Sequence, residues 1–255
     1  MILATWRERV RVAHLSDLHL RYNLPGDPQP TDRFGRLVPQ LLTDMVSKLR
    51  ELKPDLLLLT GDLLDYPQSN TDDELREQAL LDLLLLQEIV LPIDCPVLAI
   101  AGNHDPSADL VSRVFGRPTL WLDGQFQILF FHDFEDEQHV SQRVGDELAR
   151  FESALTHQAW GNQVHVQHYL VWPDLQKGYP YAYREAPTFY EKLVRSGHVF
   201  LVLSGHYHRG IEPRRRGDTW FSVAPAFCTP PHACWLYDLH SHQRMLSWQA
   251  VTVET

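Results

Sequence analysis

Positive charge is in short supply in this sequence. Lysine and arginine number 23 against 33 aspartates and glutamates, a net charge of −10, and the acidic excess is spread along the chain. A protein built to grip a nucleic-acid backbone wants a basic face, so nucleic acid is not an expected partner. A small phosphorylated substrate stays open, because bound divalent metals add local positive charge that a residue count omits. Cysteine is scarce too. Cys95, Cys228 and Cys234 are odd in number and loosely spaced. That does not suggest a disulfide framework and fits reduced, structural thiols in a cytosolic protein. No second pair completes a zinc site with the Cys-x5-Cys pair. Long apolar runs are missing. The leucine-rich stretch from Leu80 to Leu86 is interrupted by Asp82 and falls short of the roughly 20 residues that cross a bilayer. Met1 to Arg11 mixes charged and apolar side chains and has no continuous signal-peptide core. Internal repeats, low-complexity tracts and linkers are absent as well. These absences lead to an expectation of one soluble, cytoplasmic α/β domain covering residues 1–255, with no membrane partner.

What is present is an alternation of short apolar runs and helical periods. Val10 to Leu15 reads as a strand ending at Ser16. A loop rich in Pro, Gly and Asp follows, from Asn23 to Asp32. Leu37, Leu41, Met45, Leu49 and Leu52 recur near a helical period, and Pro39 fits only the first turn of that helix. Leu56 to Leu59 is a compact apolar run, again a strand. Thr71-Asp72-Asp73-Glu74 has the form of a capping box and predicts a second helix to about Val90. Pro96 to Ala101 predicts a third strand. Leu120 to Phe131 alternates around Asp123-Gly124, a hairpin pattern. Arg143 to His157 predicts a helix and Val164 to Gln167 a strand. A helix starts at Pro187 and stops near Gly197, and a strand covers Val199 to Leu203. The tail from Gly210 to Val253 alternates apolar and polar residues about a turn at Arg216-Gly217-Asp218, as antiparallel strands do.

Five polar segments follow the apolar runs. They are Asp17-Leu18-His19, Gly61-Asp62, Gly102-Asn103-His104-Asp105, His168, and Gly205-His206-Tyr207-His208. Each lies just past the carboxyl end of a predicted strand, where ligands collect in open α/β sheets. Neighbouring strands of a sheet would bring the five loops together. The donors are two carboxylates, one amide oxygen and several imidazoles, a set that suits Mn, Fe, Zn, Co or Ni better than Ca or Mg. They are too many for one tetrahedral ion and enough for two. A bridging carboxylate, for which Asp62 is the natural choice, would hold the ions about 3.5–4 Å apart.

In this order the segments resemble the signature of the calcineurin-like metallophosphoesterase superfamily: D-x-H, GD, GNH followed by an acid, H, and GHxH. The resemblance spans roughly residues 10 to 225. It implies a four-layer α/β/β/α sandwich, two mixed sheets flanked by helices, with two transition-metal ions (Mn, Fe or Zn) between the strand ends. Carried over residue by residue, Asp17, His19 and His208 would hold the first ion. Asn103, His168 and His206 would hold the second, and Asp62 would be shared. His104 would protonate the leaving oxygen, Asp105 would orient His104, and a hydroxide bridging the metals would attack phosphorus. The implied activity is hydrolysis of a small phosphorylated substrate, a diester above a monoester. The chemistry agrees: paired cations neutralise the phosphoester and lower the pKa of bound water, and an imidazole titrates in the range a general acid needs.

Other residues invite plainer readings. His165 rivals His168 but sits three positions earlier, on the opposite face of a regular strand. Asp65 reads as a turn residue or a support behind the ligands, and His14 as a packed strand histidine. Nothing in the sequence places His132-Asp133 at the site. Trp172, Tyr179, Tyr181 and Tyr183 read as a loop packing its own aromatics over the sheet, with a nucleobase platform as the alternative. Arg214-Arg215-Arg216 reads as a solvated hairpin, with phosphate steering as the alternative. Two other functions share these motifs. One is a DNA-repair exonuclease, which carries a further capping region for which this chain ends too soon. The other is a protein-binding scaffold of the same fold, which has typically lost ligands that this chain keeps.

Overall fold

The computed structural model describes residues 9–26, 33–67, 73–123, 126–157, 161–175, 181–242 and 244–254. In chain order the elements are β1 (Arg9–Leu15), α1 (Val38–Leu52), β2 (Leu56–Thr60), α2 (Asp73–Val90), β3 (Val97–Ile100) and α3 (Ala108–Phe115). There follow β4 (Leu120–Asp123), β5 (Phe126–Phe130), β6 (Phe134–Glu135), β7 (Ser141–Gln142), α4 (Gly145–Thr156), β8 (Gln163–Val166) and α5 (Ala186–Ser196). The last are β9 (Val199–Ser204), β10 (Ile211–Arg216), β11 (Thr219–Val223), β12 (Ala233–His240) and β13 (Met245–Thr252).

Local chemistry sets several of these boundaries. Pro39 lies in the first turn of α1, where its missing N–H costs nothing. The helix ends at Lys53, which is left-handed and returns its N–H to the Leu49 carbonyl at 2.9 Å. Ser107 caps α3 by accepting the Leu110 N–H at 3.1 Å. Thr71 and Asp72 of the expected capping box, and Gly124 of the expected hairpin turn, lie outside the described residues. The helix α3 and the β6–β7 hairpin were not expected from the sequence.

The strands form two large mixed sheets. One has the order β13-β12-β1-β2-β3 and the other β10-β11-β9-β8-β5-β4. β1, β2 and β3 run parallel, as do β5, β8, β9 and β11. The tail hairpins are antiparallel, as their alternation predicts, but they part company: β10–β11 closes one sheet and β12–β13 the other. Period-2 alternation sorts the core. Val10, Val12, Leu56 and Leu58 face Phe126, Ile128, Phe130, Val164 and Val166 between the sheets. Ala13, Leu15, Leu57 and Leu59 turn outward under α1 and α2, with Val111 of α3 in the same cluster. Leu129, Val199 and Val202 turn outward under α4 and α5. The result is the expected four-layer α/β/β/α sandwich. Strands buried on both faces read as unbroken apolar runs, which is why Leu56 to Leu59 shows no alternation.

The strand ends meet differently from the simplest expectation. Three candidate loops leave β1, β2 and β3 of one sheet, and two leave β8 and β9 of the other. The site therefore lies between the mouths of two packed sheets rather than along one sheet edge. Among the described residues no helix is long and apolar enough to cross a membrane.

A buried ionic cluster fixes the second sheet's contribution. The Arg143 guanidinium donates to Asp133 through Nε at 2.9 Å and Nη2 at 2.8 Å, and to Gln167 Oε1 at 2.9 Å. Tyr183 donates its hydroxyl to Asp133 at 2.6 Å, and the guanidinium lies 3.9 Å from the Phe131 ring centroid. Arg143 thus ties the segment before β6 to the residue preceding His168. Removing one partner of a buried pair leaves the other charge uncompensated, at a cost of about 3–5 kcal/mol. Arg143→Met should lose about that much stability in urea unfolding; a loss under about 1 kcal/mol would show that the cluster is not a keystone.

Candidate metal centre

The backbone is strained where the candidate ligands sit. Asp17, His19, Asp62 and His206 all have positive φ, at 52°, 43°, 49° and 66°. The left-handed region costs a residue with a Cβ roughly 1–2 kcal/mol, and such strain persists where the surroundings over-determine it. Those surroundings are visible. Asp17 N–H donates to the Gly61 carbonyl at 3.1 Å, His19 N–H to the Asp62 carbonyl at 2.9 Å, and Gly205 N–H to the His168 carbonyl at 2.9 Å. Gly61 has a φ of +90°, and a Cβ there would lie 2.5 Å from His168 Nδ1 and 2.8 Å from Gly102 N. At Gly205 a Cβ would strike Ser16 Oγ. Glycine is thus required for the loops to approach each other.

The structure brings Asp17, His19, Asp62, Asn103, His168, His206 and His208 together. Their donor atoms fall into two groups that share Asp62. In the first, His19 Nε2 lies 3.1 Å from His208 Nε2 and 3.6 Å from Asp62 Oδ2, and His208 Nε2 lies 3.5 Å from Asp17 Oδ1. In the second, His168 Nε2 lies 3.4 Å from Asp62 Oδ1 and 3.2 Å from Asn103 Oδ1. The His206 ring stands 4.9 Å from the His168 ring, and one donor atom each of Asp62, His168 and His206 lie within 4.8 Å of one another. The carboxylates also tie loops together: Asp17 Oδ2 accepts the His206 N–H at 3.0 Å, and Asp62 Oδ1 the His104 N–H at 2.8 Å.

This donor set fits cations. Asp17 and Asp62 are 0% and 1% exposed, and Asp17 Oδ1 has no hydrogen bond among the described residues. Burial pushes the Asp17 carboxyl up, against the pull of His208 and His168. Burial also opposes ionisation of Asp62, yet His168, His104 and His19 hold it well below the usual range. For His168, burial disfavours the charged ring, but the Asp62 charge and hydrogen bond, with Asp17 behind, raise it to about 10. The pocket thus collects negative charge that draws a proton when no metal is there to neutralise it. Two imidazole nitrogens aimed at each other across 3.1 Å also suit a shared ion better than a hydrogen bond.

Around these groups lie residues that the motifs did not assign. Asp105 does not reach the His104 ring. Its oxygens accept the N–H groups of Leu63, Leu64 and Gly102 at 3.2, 2.9 and 2.8 Å. The expected orienting contact is replaced by a brace between two loops, because the Asp105 side chain points back under the β2 exit. Burial and the Asp62 charge push its carboxyl up to about 7, against those three donors. Beside the His104 ring stands Arg33, which reaches His104 Nε2 at 3.4 Å and Asp65 Oδ1 at 2.9 Å. Asp65 is also 3.6 Å from His19 Nδ1, in line with its reading as a support. Cys228 is a buried thiol whose Sγ lies within 4.8 Å of ring nitrogens of His19 and His208. Neither Arg33 nor Cys228 carries a periodicity or motif that would have marked it.

The plainer readings hold for several residues. His14 is buried against Thr60 Oγ1 at 2.8 Å, and His165 against Gln163, Phe131 and Phe151 on the other face of β8. Tyr183 packs in the outer core, and Trp172 carries the Arg216 guanidinium 4.3 Å above its ring. Tyr181 stands 5.5 Å from the His206 ring, and Tyr179 lies outside the described residues. Arg215 pairs with Asp218 across the tail turn at 2.7 Å, and Arg214 with Glu212. Asp133 belongs to the Arg143 cluster, yet it also lines a cleft of about 420 Å³ beside the centre with Tyr66, Asn103, Glu135, His139 and Tyr169. A wider hollow of about 540 Å³ between α2 and α3 holds none of the candidate ligands.

A family model described as calcineurin-like phosphoesterase matches residues 10–210. A probable cyclic nucleotide phosphodiesterase of Synechococcus sp. is 28% identical over 220 residues, covering 84% of this chain and 79% of that protein. The crystal structure of a dimetal phosphatase from Danio rerio superposes with a TM-score of 0.66 at 12% identity, over 96% of this chain and 99% of that one. At that identity the likeness concerns the fold.

Two outcomes test the donor set. Asp62→Ala should lose both ions in elemental analysis of Mn-reconstituted protein, because each group uses one of its oxygens; two ions per chain would remove Asp62 from that role. Asp62 Oδ1 stands 3.4 Å from His168 Nε2 and raises that ring's pKa, which favours a proton in the metal-free protein that a bound ion would displace. Calorimetric titration in buffers of different ionisation enthalpy should show proton release, and affinity falling as pH drops. Mn uptake without proton release would contradict the placement of His168.

Proposed function

The chain belongs to the calcineurin-like phosphoesterase family, whose members use a binuclear metal centre and hydrolyse phosphoesters, and from that premise we propose that it cleaves a small-molecule phosphodiester with two transition-metal ions. The carrying observation is that the two donor groups share Asp62 while His104 stands at their rim. Asp17, His19 and His208 would hold one ion and Asn103, His168 and His206 the other. When bound, such a pair neutralises phosphate charge and activates water as the nucleophile. Mn, Fe and Zn are the metals that this nitrogen-and-oxygen set favours.

The chain's own residues supply the rest. His104 follows a candidate ligand directly, and its backbone N–H is fixed on Asp62 at 2.8 Å. Its Nδ1 has no hydrogen bond among the described residues, while Nε2 faces Arg33. The ring is thereby held at the rim beside Arg33, and in the proposed reaction it would deliver the proton to the leaving oxygen. Asp105 holds the loop that carries His104 through three N–H groups rather than through the ring. The cleft beside the second group offers room for the organic part of a substrate. The name of the Synechococcus relative favours a diester, with cyclic nucleotides first among candidates. Three cysteines, all unpaired, fit a reducing compartment, and the proposal places the enzyme in the cytoplasm.

A substrate screen of the Mn-loaded protein decides the class: cyclic nucleotides, aryl monoesters and diesters, dinucleotides, phospholipid headgroups, and single- and double-stranded DNA. Turnover of diesters above monoesters is expected, and hydrolysis confined to DNA ends would favour the exonuclease reading. His104→Ala should keep the wild-type metal content and lose roughly 10²–10⁴ in turnover. Unchanged turnover would remove the proton-donor role from His104.

A further inference from the structure

Each imidazole that binds a metal through one nitrogen needs an acceptor at the other, and that outer partner fixes the ring. Beside that other nitrogen lies an oxygen in three of the candidate imidazoles, at hydrogen-bond distance for His168 and farther off for His19 and His206. His168 Nδ1 lies 2.7 Å from the Thr60 carbonyl, and His19 Nδ1 3.6 Å from Asp65 Oδ1. Both acceptors belong to the segment around Gly61-Asp62. The third is different. His206 Nε2 lies 3.7 Å from Glu135 Oε1, and Glu135 sits on β6, in a hairpin outside the five segments.

The surroundings of Glu135 set it apart from an ordinary surface acid. It stands in the acidic run Asp133-Phe134-Glu135-Asp136-Glu137. Yet its side chain is only 8% exposed. Burial raises its carboxyl above the usual range, opposed by His139 and His168. Its second oxygen, Oε2, lies 3.2 Å from Nδ1 of His139, whose own side chain is 54% exposed. The carboxylate is therefore aimed inward by an exposed partner four residues on. Around the His206 ring, Tyr169, Tyr181 and His168 stand at 5.0, 5.5 and 4.9 Å. Those rings restrict tilt, and Glu135 adds a charge at the ring's outer nitrogen. The gap of 3.7 Å is longer than a hydrogen bond, and close to the spacing that Asp65 keeps from His19.

We infer that Glu135 is a positioning residue for the second metal site: it holds His206 through Nε2 and leaves the other ring nitrogen for the Asp62–His168 group. The β6–β7 hairpin then belongs to the metal centre as well as to the wall of the cleft, since Phe134, Glu135, Asp136 and His139 all line that space. The inference rests on the proposed two-metal centre.

Calorimetric titration of the metal-free protein with Mn, together with electron paramagnetic resonance of the loaded protein, tests it. Wild-type protein should take up two ions and show the exchange-coupled signal of a Mn pair. Glu135→Leu should keep the first ion, weaken the second about 10–100-fold and lose the coupled signal. Glu135→Gln keeps an acceptor oxygen and should recover most of that affinity. If Glu135→Leu binds both ions as wild type does, or loses only thermal stability, the assignment is overturned. Should circular dichroism show that the leucine variant is unfolded, Glu135→Asp decides. Its carboxylate is withdrawn by one methylene, so weaker second-ion binding supports the role and unchanged binding overturns it. A wild-type protein that binds fewer than two ions would overturn the metal-centre reading itself, and this one with it.

Discussion

Two carboxylates with almost no access to water, Asp17 and Asp62, are the constraint on which the rest of this structure turns. A buried carboxylate is expensive unless it is paired or hydrogen-bonded. Here each has an oxygen that accepts the backbone N–H of another loop, at His206 and at His104. Those bonds join β1 to β9 across the sandwich and β2 to β3 within one sheet. The negative charge that is left faces imidazoles from both sheets. Cations are the economical answer, because they satisfy the carboxylates and the opposed imidazole nitrogens together.

The cost of this arrangement is carried by the backbone. Four candidate ligands occupy left-handed φ values, and the glycines beside them sit where a side chain would collide with the neighbouring loop. Such a site does not assemble from local preference. The sandwich core, apolar on both faces of its central strands, supplies the rigidity that holds four strained residues in register. Strain, close backbone approach and buried charge therefore coincide at one mouth of the molecule, the usual signature of a site shaped for chemistry rather than for stability.

The second sheet needs its own scaffold. His168 and His206 leave β8 and β9, next to the Arg143 cluster and the β6–β7 hairpin. Arg143 links Asp133, just ahead of that hairpin, to Gln167, just ahead of His168. The hairpin brings Glu135 to within 3.7 Å of His206 Nε2. The first donor group is thus drawn largely from its own motifs, whereas the second lies beside a segment that carries none of them.

The sequence alone marked most of the elements, α3 and the β6–β7 hairpin excepted, and the candidate donors that the structure brings together. Apolar runs followed by Asp, Asn or His mark strand exits, and seven donors in order imply a common pocket, because an isolated polar cluster would gain nothing from that repetition. It also separated His165 from His168, since a strand's period of two puts residues three apart on opposite faces. Tertiary structure decided what lies behind those donors. Glu135 looks like one of several solvated acids until the hairpin buries it. Arg33 belongs to no pattern, and Asp105 braces a backbone instead of a ring. That the loops leave two packed sheets rather than one edge was carried by the family resemblance, not by periodicity. The physical reason is common to all of these. Periodicity reports which face of an element is buried, whereas outer partners are chosen by distances between segments far apart in the chain, and only packing fixes those distances.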